Sequence, residues 1–334
     1  MTDDARFAAC RPKLDGVGPL RRFVDLPDRT LLHAGPPYRR PDETPPPVRN
    51  AAAVAAQFEG WAADPADALA QIGRREIALL PAQDFSVVTP LAYVAGPTTP
   101  ATLIACSETD VRAVAPINDG PAPGVIRFGA PDDAALERLT FLATRVAPAL
   151  DRAASRAPVD LIPIGVAALA VGEDLHALTA DASRRFAERI ATQVPIHVAR
   201  YLHAAPHVFL NIWMGVCACF VAAAGDSALS AIGANGVEVG VKLREQQWIT
   251  RPAPTPAGPF LDVACAERAV SPAIGDSAVI EAAGFGAVAA GRAEDFRATL
   301  ASFAPAACAV DGASLTALDH PAFKPLGRKR CVDP

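Results

Sequence analysis

The chain has 334 residues, of which 51% are hydrophobic and 20% charged, with a formal net charge of −5 and seven cysteines. This composition excludes a globally disordered chain, and the length allows two domains or one core with an inserted subdomain. The slight excess of acids argues against nucleic acid as a partner, because phosphate binding depends on surplus Lys and Arg.

Residues 1–50 are rich in proline and arginine, which predicts an N-terminal arm because proline removes backbone donors and fixes φ. An apolar island over residues 31–37 (LLHAGPP) ends in a Gly-Pro turn. Residues 1–7 contain two acids and no long apolar segment, so we expect no secretory signal and a cytoplasmic protein.

Residues 51–155 are predicted to form an α/β part of the core. The predicted elements are a helix over 48–70, buried strands over 76–81 and 102–106, a strand with a tight turn over 124–133, and an amphipathic helix over 134–149.

Residues 156–225 are mostly apolar with helical spacing, which predicts an inserted helical subdomain. The apolar run 208–224 is shorter than the roughly 20 residues that a bilayer requires, so it predicts a buried helix and no membrane partner. The cysteines are odd in number, scattered and free of CxxC pairs, so we expect reduced core thiols.

Residues 226–334 are predicted to complete the core. Residues 237–243 alternate with period two, residues 260–265 form a second apolar run, and a glycine-led helix is expected over 278–287. Strands before and after a helical block indicate an α+β protein, with a mixed sheet core flanked by helices and an inserted small helical subdomain.

The segment Gly275-Asp276-Ser277 is the first candidate site, because free N–H groups at a helix start can hold an anion. Plain helix capping explains the same residues. Asp276 would repel an anion unless its carboxylate bonds an amide NH₂ group or a metal.

Glu173 and His176 form the second candidate. On a helix they would share one polar stripe, and the carboxylate could orient the imidazole for acid–base catalysis. A partly exposed helix face is the alternative interpretation of the same spacing.

Arg127 is the third candidate, since an arginine between a strand and a turn can clamp phosphate or carboxylate. A salt bridge to Asp132 or Asp133 explains it equally well. The remaining histidines lack the spacing of metal ligands, and no dinucleotide, P-loop or hydrolase motif occurs, so we expect no metal and no cofactor.

The ordered set of short segments resembles the AllG-like (YlbE-like) family of proteins. One member is a subunit of oxamate carbamoyltransferase, and members occur with FdrA-like proteins. The segments are residues 31–37, 88–92 (VTPLA), 125–130 (VIRFGA), 172–176 (GEDLH), 209–211 (FLN), 235–240 (NGVEVG) and 274–278 (IGDSA). The chain resembles a shortened and divergent member.

The resemblance implies carbamoyl transfer between phosphate and an amide nitrogen of a small amide or ureido acid, similar to oxamate or oxalurate. We assign hypothetical roles on that basis. Phosphate or carboxylate binding would fall to Arg127, Gly275 and Ser277, amide recognition to Asn211, Asn235, Glu238 and Asp276, substrate binding also to His33, and proton handling to His176 beside Glu173.

Two other functions remain open. The chain could be a non-catalytic scaffold or ligand-binding subunit of an FdrA-like complex, or a stand-alone C–N hydrolase or lyase. FdrA-like subunits and further copies of this chain are the expected protein partners. We expect the polar residues to line one cleft between the sheet and the helical block.

Overall fold

A computed structural model describes residues 3–118, 125–129, 133–224, 229–244, 246–256 and 268–286. The helices are α1 (Asp3–Ala9), α2 (Pro46–Phe58), α3 (Pro65–Gly73), α4 (Asp133–Phe141), α5 (Ala147–Arg156), α6 (Ile162–Ala170), α7 (Ala180–Ile190), α8 (Ile196–His203), α9 (Val208–Ala223) and α10 (Ala278–Ala282). The strands are β1 (Lys13–Pro19), β2 (Thr30–His33), β3 (Ala78–Pro81), β4 (Pro100–Cys106), β5 (Val111–Pro116), β6 (Val159–Asp160), β7 (Leu229–Asn235), β8 (Glu238–Leu243), β9 (Ile249–Pro252) and β10 (Ile274–Gly275).

The first sheet is antiparallel, with strand order β5-β4-β1-β6. Helix α5 packs on β1, and α9 packs on β4 and β5. Helix α9 is apolar on nearly all sides, as expected of a helix inside a core. Gly215 brings its backbone close to the sheet, since a Cβ there would lie 2.6 Å from the Ile104 side chain.

The second sheet consists of the parallel pair β2–β3, and its strands belong to a separate apolar cluster with α2 and α3. The third sheet is antiparallel, with strand order β10-β7-β8-β9. Strand β10 leads directly into the short helix α10, which packs on α9 and β7. The third sheet is thereby held against the helical part of the molecule.

The predicted α+β class is confirmed, and the strands in the described ranges are divided among three sheets. Residues 208–223 form the predicted buried helix. The four cysteines in the described residues, Cys10, Cys106, Cys217 and Cys219, are buried and free. In the same part of the chain no single helix could cross a bilayer, and only the pair α8–α9, bent by 80°, meets the length and hydropathy requirement.

Three local predictions are wrong. Residues 1–50 are not an arm outside the core, because β1 lies between β4 and β6 and β2 pairs with β3. Residues 126–128 form a 3-10 turn instead of a strand. The helix after residue 277 ends at Ala282. The strand expected over 260–265 lies outside the described residues.

Candidate functional site

Asp276 lies at a junction of three chain segments and is completely buried. Its Oδ1 accepts hydrogen bonds from Gly35 N (2.8 Å) and Gln83 Nε2 (2.7 Å). Its Oδ2 accepts from Thr89 N (3.0 Å) and Thr89 Oγ1 (3.1 Å). The carboxylate therefore ties the loop after β2 and the segment after β3 to the strand–helix turn at β10.

The junction requires residues without side chains at two positions. A Cβ on Gly233 would lie 2.4 Å from Asp276 Oδ1 and 3.1 Å from the Cα of Gly35. Gly275 has a φ of +133°, and a Cβ there would lie 2.7 Å from Leu91 N. Glycine at these positions lets the three segments approach closely enough to surround the carboxylate.

Burial raises the pKa of Asp276 to about 6, although the four donors favour the ionised form. Ser277 begins α10 without a side-chain capping bond. Because α10 has five residues and the Asp276 carboxylate lies beside its start, the described geometry gives no support to an anion site at residues 275–277.

Asn235 and Glu238 are engaged in bonds within the protein. Asn235 Oδ1 accepts from the N–H groups of Val237 (2.9 Å) and Glu238 (2.8 Å), and its Nδ2 donates to Pro36 O (2.8 Å). Glu238 Oε1 accepts from Arg39 Nη2 at 2.6 Å. Asn235 thus shapes the turn between β7 and β8, and Glu238 forms an ion pair.

His33 is completely buried beside the same junction. Its Nδ1 lies 2.8 Å from Ala34 O, its ring centroid lies 4.5 Å from that of Tyr38, and its Nε2 has no partner among the described residues. Burial lowers the pKa of His33 to about 4, so the imidazole is neutral near pH 7.

A second polar cluster lies at the start of α9. Arg127 is 6% exposed, and its guanidinium carbon lies 4.6 Å from the centroid of the half-exposed Phe128 ring. Burial, with a smaller contribution from the charge of Arg127, lowers the pKa of His207. Arg127 and His207 are therefore electrostatic neighbours.

Asn211, one turn after His207, extends this cluster. Its Nδ2 donates to Pro116 O (2.9 Å), and its Oδ1 lies 3.5 Å from Asn118 Nδ2. Asn118 is 1% exposed, and its Oδ1 has no hydrogen-bond partner in the described part of the chain. An unpaired buried acceptor is costly unless a donor reaches it.

His176 pairs with a carboxylate that the sequence analysis did not single out. His176 Nδ1 lies 2.7 Å from Glu281 Oε1, on α10. The predicted pairing with Glu173 is wrong, because residues 172–179 form a loop and α7 begins only at residue 180. Glu173 instead accepts from Asp181 N and Ala182 N and so caps α7.

Hydrogen bonds connect these clusters through the segment 89–92. Thr89 bonds Asp276, while Ala92 N donates to Arg127 O at 2.9 Å. Glu281 follows Asp276 by five residues and lies on α10, which begins at Ala278. Asp276 is therefore linked to Arg127 through the segment 89–92, and to the His176–Glu281 pair through the start of α10.

Two leucines near these clusters have left-handed backbones, Leu91 with a φ of 47° and Leu175 with a φ of 62°. Such residues cost roughly 1 kcal/mol or more and concentrate at functional sites. Leu91 lies between Thr89 and Ala92, and Leu175 precedes His176. The strained positions thus lie in the two segments that place Arg127 and His176.

The structure therefore brings together only some of the predicted site residues. His33, Asn235, Gly275 and Asp276 meet at the buried junction, Arg127 and Asn211 lie in the cluster near His207, and His176 pairs with Glu281. In the described ranges no group of three or more His, Cys, Asp or Glu side chains could hold a metal ion. Sequence reasoning missed Asn118, His207 and Glu281, because none stands in a recognisable motif.

These features define an α+β protein with buried polar residues gathered at the Asp276 junction and at the start of α9. The family profile described as oxamate carbamoyltransferase subunit AllG matches residues 77–277. The oxamate carbamoyltransferase subunit AllG of Escherichia coli (strain K12) is 30% identical over 278 residues, 78% of this chain and 66% of that protein. The chain belongs to the AllG family, which confirms the resemblance found in the sequence.

A solved structure supports the same fold. The crystal structure of a conserved protein of unknown function from Enterococcus faecalis V583 matches with a TM-score of 0.80 and 25% identity, over 86% of this chain and 73% of that one. The chain spans just under two thirds of the length of the Escherichia coli relative.

Proposed function

We propose that the protein is a subunit of a carbamoyltransferase-type enzyme that acts on a small amide or ureido acid with phosphate or carbamoyl phosphate. One observation carries the proposal beyond family membership. Asn118 Oδ1 has no hydrogen-bond partner among the described residues, and Asn118 Nδ2 donates to Asn211, which follows His207 by one helical turn. The charge of the buried Arg127 lowers the pKa of His207, so we infer that an acceptor for an NH₂ group and a cation for an anion lie near the start of α9.

The substrates match these two groups chemically. Arg127 would bind the phosphate or carboxylate, since a guanidinium can donate two parallel hydrogen bonds to either. Asn118 Oδ1 would accept from the carbamoyl or amide NH₂, with Asn211 holding the Asn118 side chain in place. Phe128, half exposed beside Arg127, would exclude water from one side of the bound anion.

The reaction needs one proton transfer. The amide nitrogen of the acceptor attacks the carbamoyl carbon, the bond from that carbon to the phosphate oxygen breaks, and the nitrogen loses one proton. His176, held by Glu281, would take this proton. Asp276 would act as a positioning residue through Thr89 and α10, because its own oxygens are occupied by donors of the protein.

A non-catalytic subunit role is the second candidate. It is favoured by the observation that Asp276, Asn235 and Glu173, all assigned to substrate or proton handling from the sequence, use their oxygens in bonds within the protein. In that case an FdrA-like partner would supply the catalytic groups, and this chain would bind ligand or hold the complex together.

Phosphate-dependent cleavage of oxalurate by the purified chain, alone and mixed with FdrA-like partner subunits, tests the proposal. We expect carbamoyl phosphate and oxamate to form, and His176→Asn to lower the rate at least tenfold. His203→Asn, at the exposed end of α8, is the matched control and should retain the rate.

The outcomes separate the candidates. Activity in the mixture that is unchanged by His176→Asn supports the non-catalytic role. Cleavage that proceeds without phosphate supports a hydrolase or lyase and contradicts carbamoyl transfer. No cleavage under any of these conditions contradicts the proposed substrate class.

A further inference from the structure

A cleft of about 290 Å³ lies between β3, the end of α3 and the chain leading into α2. Its volume is at the lower end of the range of small-molecule sites. Residues that line it include Tyr38, Arg39, Thr44, Arg75, Ile77 and Leu80. We name it the Arg75 cleft.

The Arg75 cleft contains a buried hydroxyl group without a partner. Thr44 is 2% exposed, and its Oγ1 makes no hydrogen bond with any described residue. A buried hydroxyl that lacks a partner costs free energy in the unliganded protein. A bound acceptor that reached Thr44 Oγ1 would remove this cost.

Two exposed arginines, Arg39 and Arg75, line the same cleft. Arg75 has a left-handed backbone with a φ of 61° and lies two residues after the end of α3. Arg39 donates from Nη2 to Glu238, and this ion pair leaves other guanidinium N–H groups available. Leu79 and Leu80, both partly exposed, provide apolar surface beside these cations.

We propose that the Arg75 cleft is a second ligand site, which binds a small organic anion with a phosphate or carboxylate head and an apolar or planar body. The head would lie between the two guanidinium groups and accept from Thr44 Oγ1. The body would lie on Leu79 and Leu80. This site is independent of the proposed carbamoyl chemistry, because it shares none of the residues assigned to it.

Isothermal titration calorimetry with phenyl phosphate tests the proposal on the intact chain, with benzoate, inorganic phosphate and phenol as comparison ligands. We expect saturable binding of phenyl phosphate, of benzoate or of both, depending on whether the site accepts a phosphate or a carboxylate head. Inorganic phosphate and phenol should bind at least tenfold more weakly than the organic anion that binds. Phenol lacks the charge, and inorganic phosphate lacks the body.

Three variants locate the binding. Arg75→Gln and Thr44→Val should each weaken it roughly tenfold, since each removes one donor to the anion. Arg74→Gln is the matched control, because Arg74 pairs with Glu76 and is not among the residues that line the cleft. Thermal melting without ligand identifies any variant that has lost its fold.

Three results would overturn the proposal. The first is the absence of saturable binding of both phenyl phosphate and benzoate. The second is equal affinity in folded Arg75→Gln, Thr44→Val and Arg74→Gln proteins, which would place the ligand elsewhere. The third is phenol binding as tightly as the anions.

Discussion

Replacing Gly233 by alanine tests the close packing around Asp276. The added Cβ would lie 2.4 Å from Asp276 Oδ1 and 3.1 Å from the Cα of Gly35. Neither neighbour can move freely, because the oxygen is held by two donors and the other contact is backbone. Overpacking of this kind costs about 1 to 3 kcal/mol, and each lost hydrogen bond to a charged group adds roughly 1.5 to 3 kcal/mol.

We therefore expect Gly233→Ala to lower the free energy of unfolding by about 3 to 5 kcal/mol. With a urea m-value near the upper end of the ordinary range, about 3 kcal/mol/M, the midpoint of urea unfolding should fall by roughly 1 M or more. Tryptophan fluorescence in a urea titration measures this shift.

Gly73→Ala is the matched control. A Cβ at Gly73 would have no heavy atom within 4 Å, and the residue ends α3 without a left-handed backbone. We expect this variant to be unchanged or more stable by up to about 1 kcal/mol. If the urea midpoint of Gly233→Ala equals that of Gly73→Ala, the Asp276 junction is not tightly packed, and this result would refute the reasoning.

Two further predictions concern single side chains. Burial raises the pKa of Asp276 to about 6 in the folded protein. As pH rises from about 4 to about 6, Asp276 ionises in the unfolded chain before it ionises in the folded protein, so the wild type loses stability over this pH range. Urea unfolding should therefore show the wild type gaining about 2 to 2.5 kcal/mol over Asp276→Asn as pH falls from 7 to 4, and a constant difference would contradict the raised pKa. Glu173→Gln should lower the stability by about 1 kcal/mol in a melt followed by circular dichroism, since it weakens the cap of α7, while leaving any His176-dependent activity intact.

The sequence predicted those elements whose pattern is local. Residues 208–223 are apolar on nearly every side and can only be stable inside a core, so a buried helix followed directly. The alternation over residues 237–243 matched β8 in the same way. The family resemblance depended on the order of short segments and needed no three-dimensional information.

The errors came from partners that are distant in sequence. Residues 13–19 (KLDGVGP) contain glycine and proline, yet they form a strand because β4 and β6 flank them and Asp151 accepts from Val17 N. Glu281 lies 105 residues from His176, so no local pattern could pair them. Asp276 was singled out by its position in the sequence, but its four donors, from three residues at least 187 positions away, could not be predicted.

The proposed role of Arg127 is tested most directly by the rate of carbamoyl transfer in a complex reconstituted from this chain and its partner subunits. Formation of oxalurate from carbamoyl phosphate and oxamate would be compared for wild type, Arg127→Gln and Arg112→Gln, the last an exposed arginine on β5. We predict that Arg127→Gln lowers kcat/KM at least about 100-fold, while Arg112→Gln retains the wild-type value. Wild-type kcat/KM in a folded Arg127→Gln complex would contradict the assignment of the anion site to this cluster.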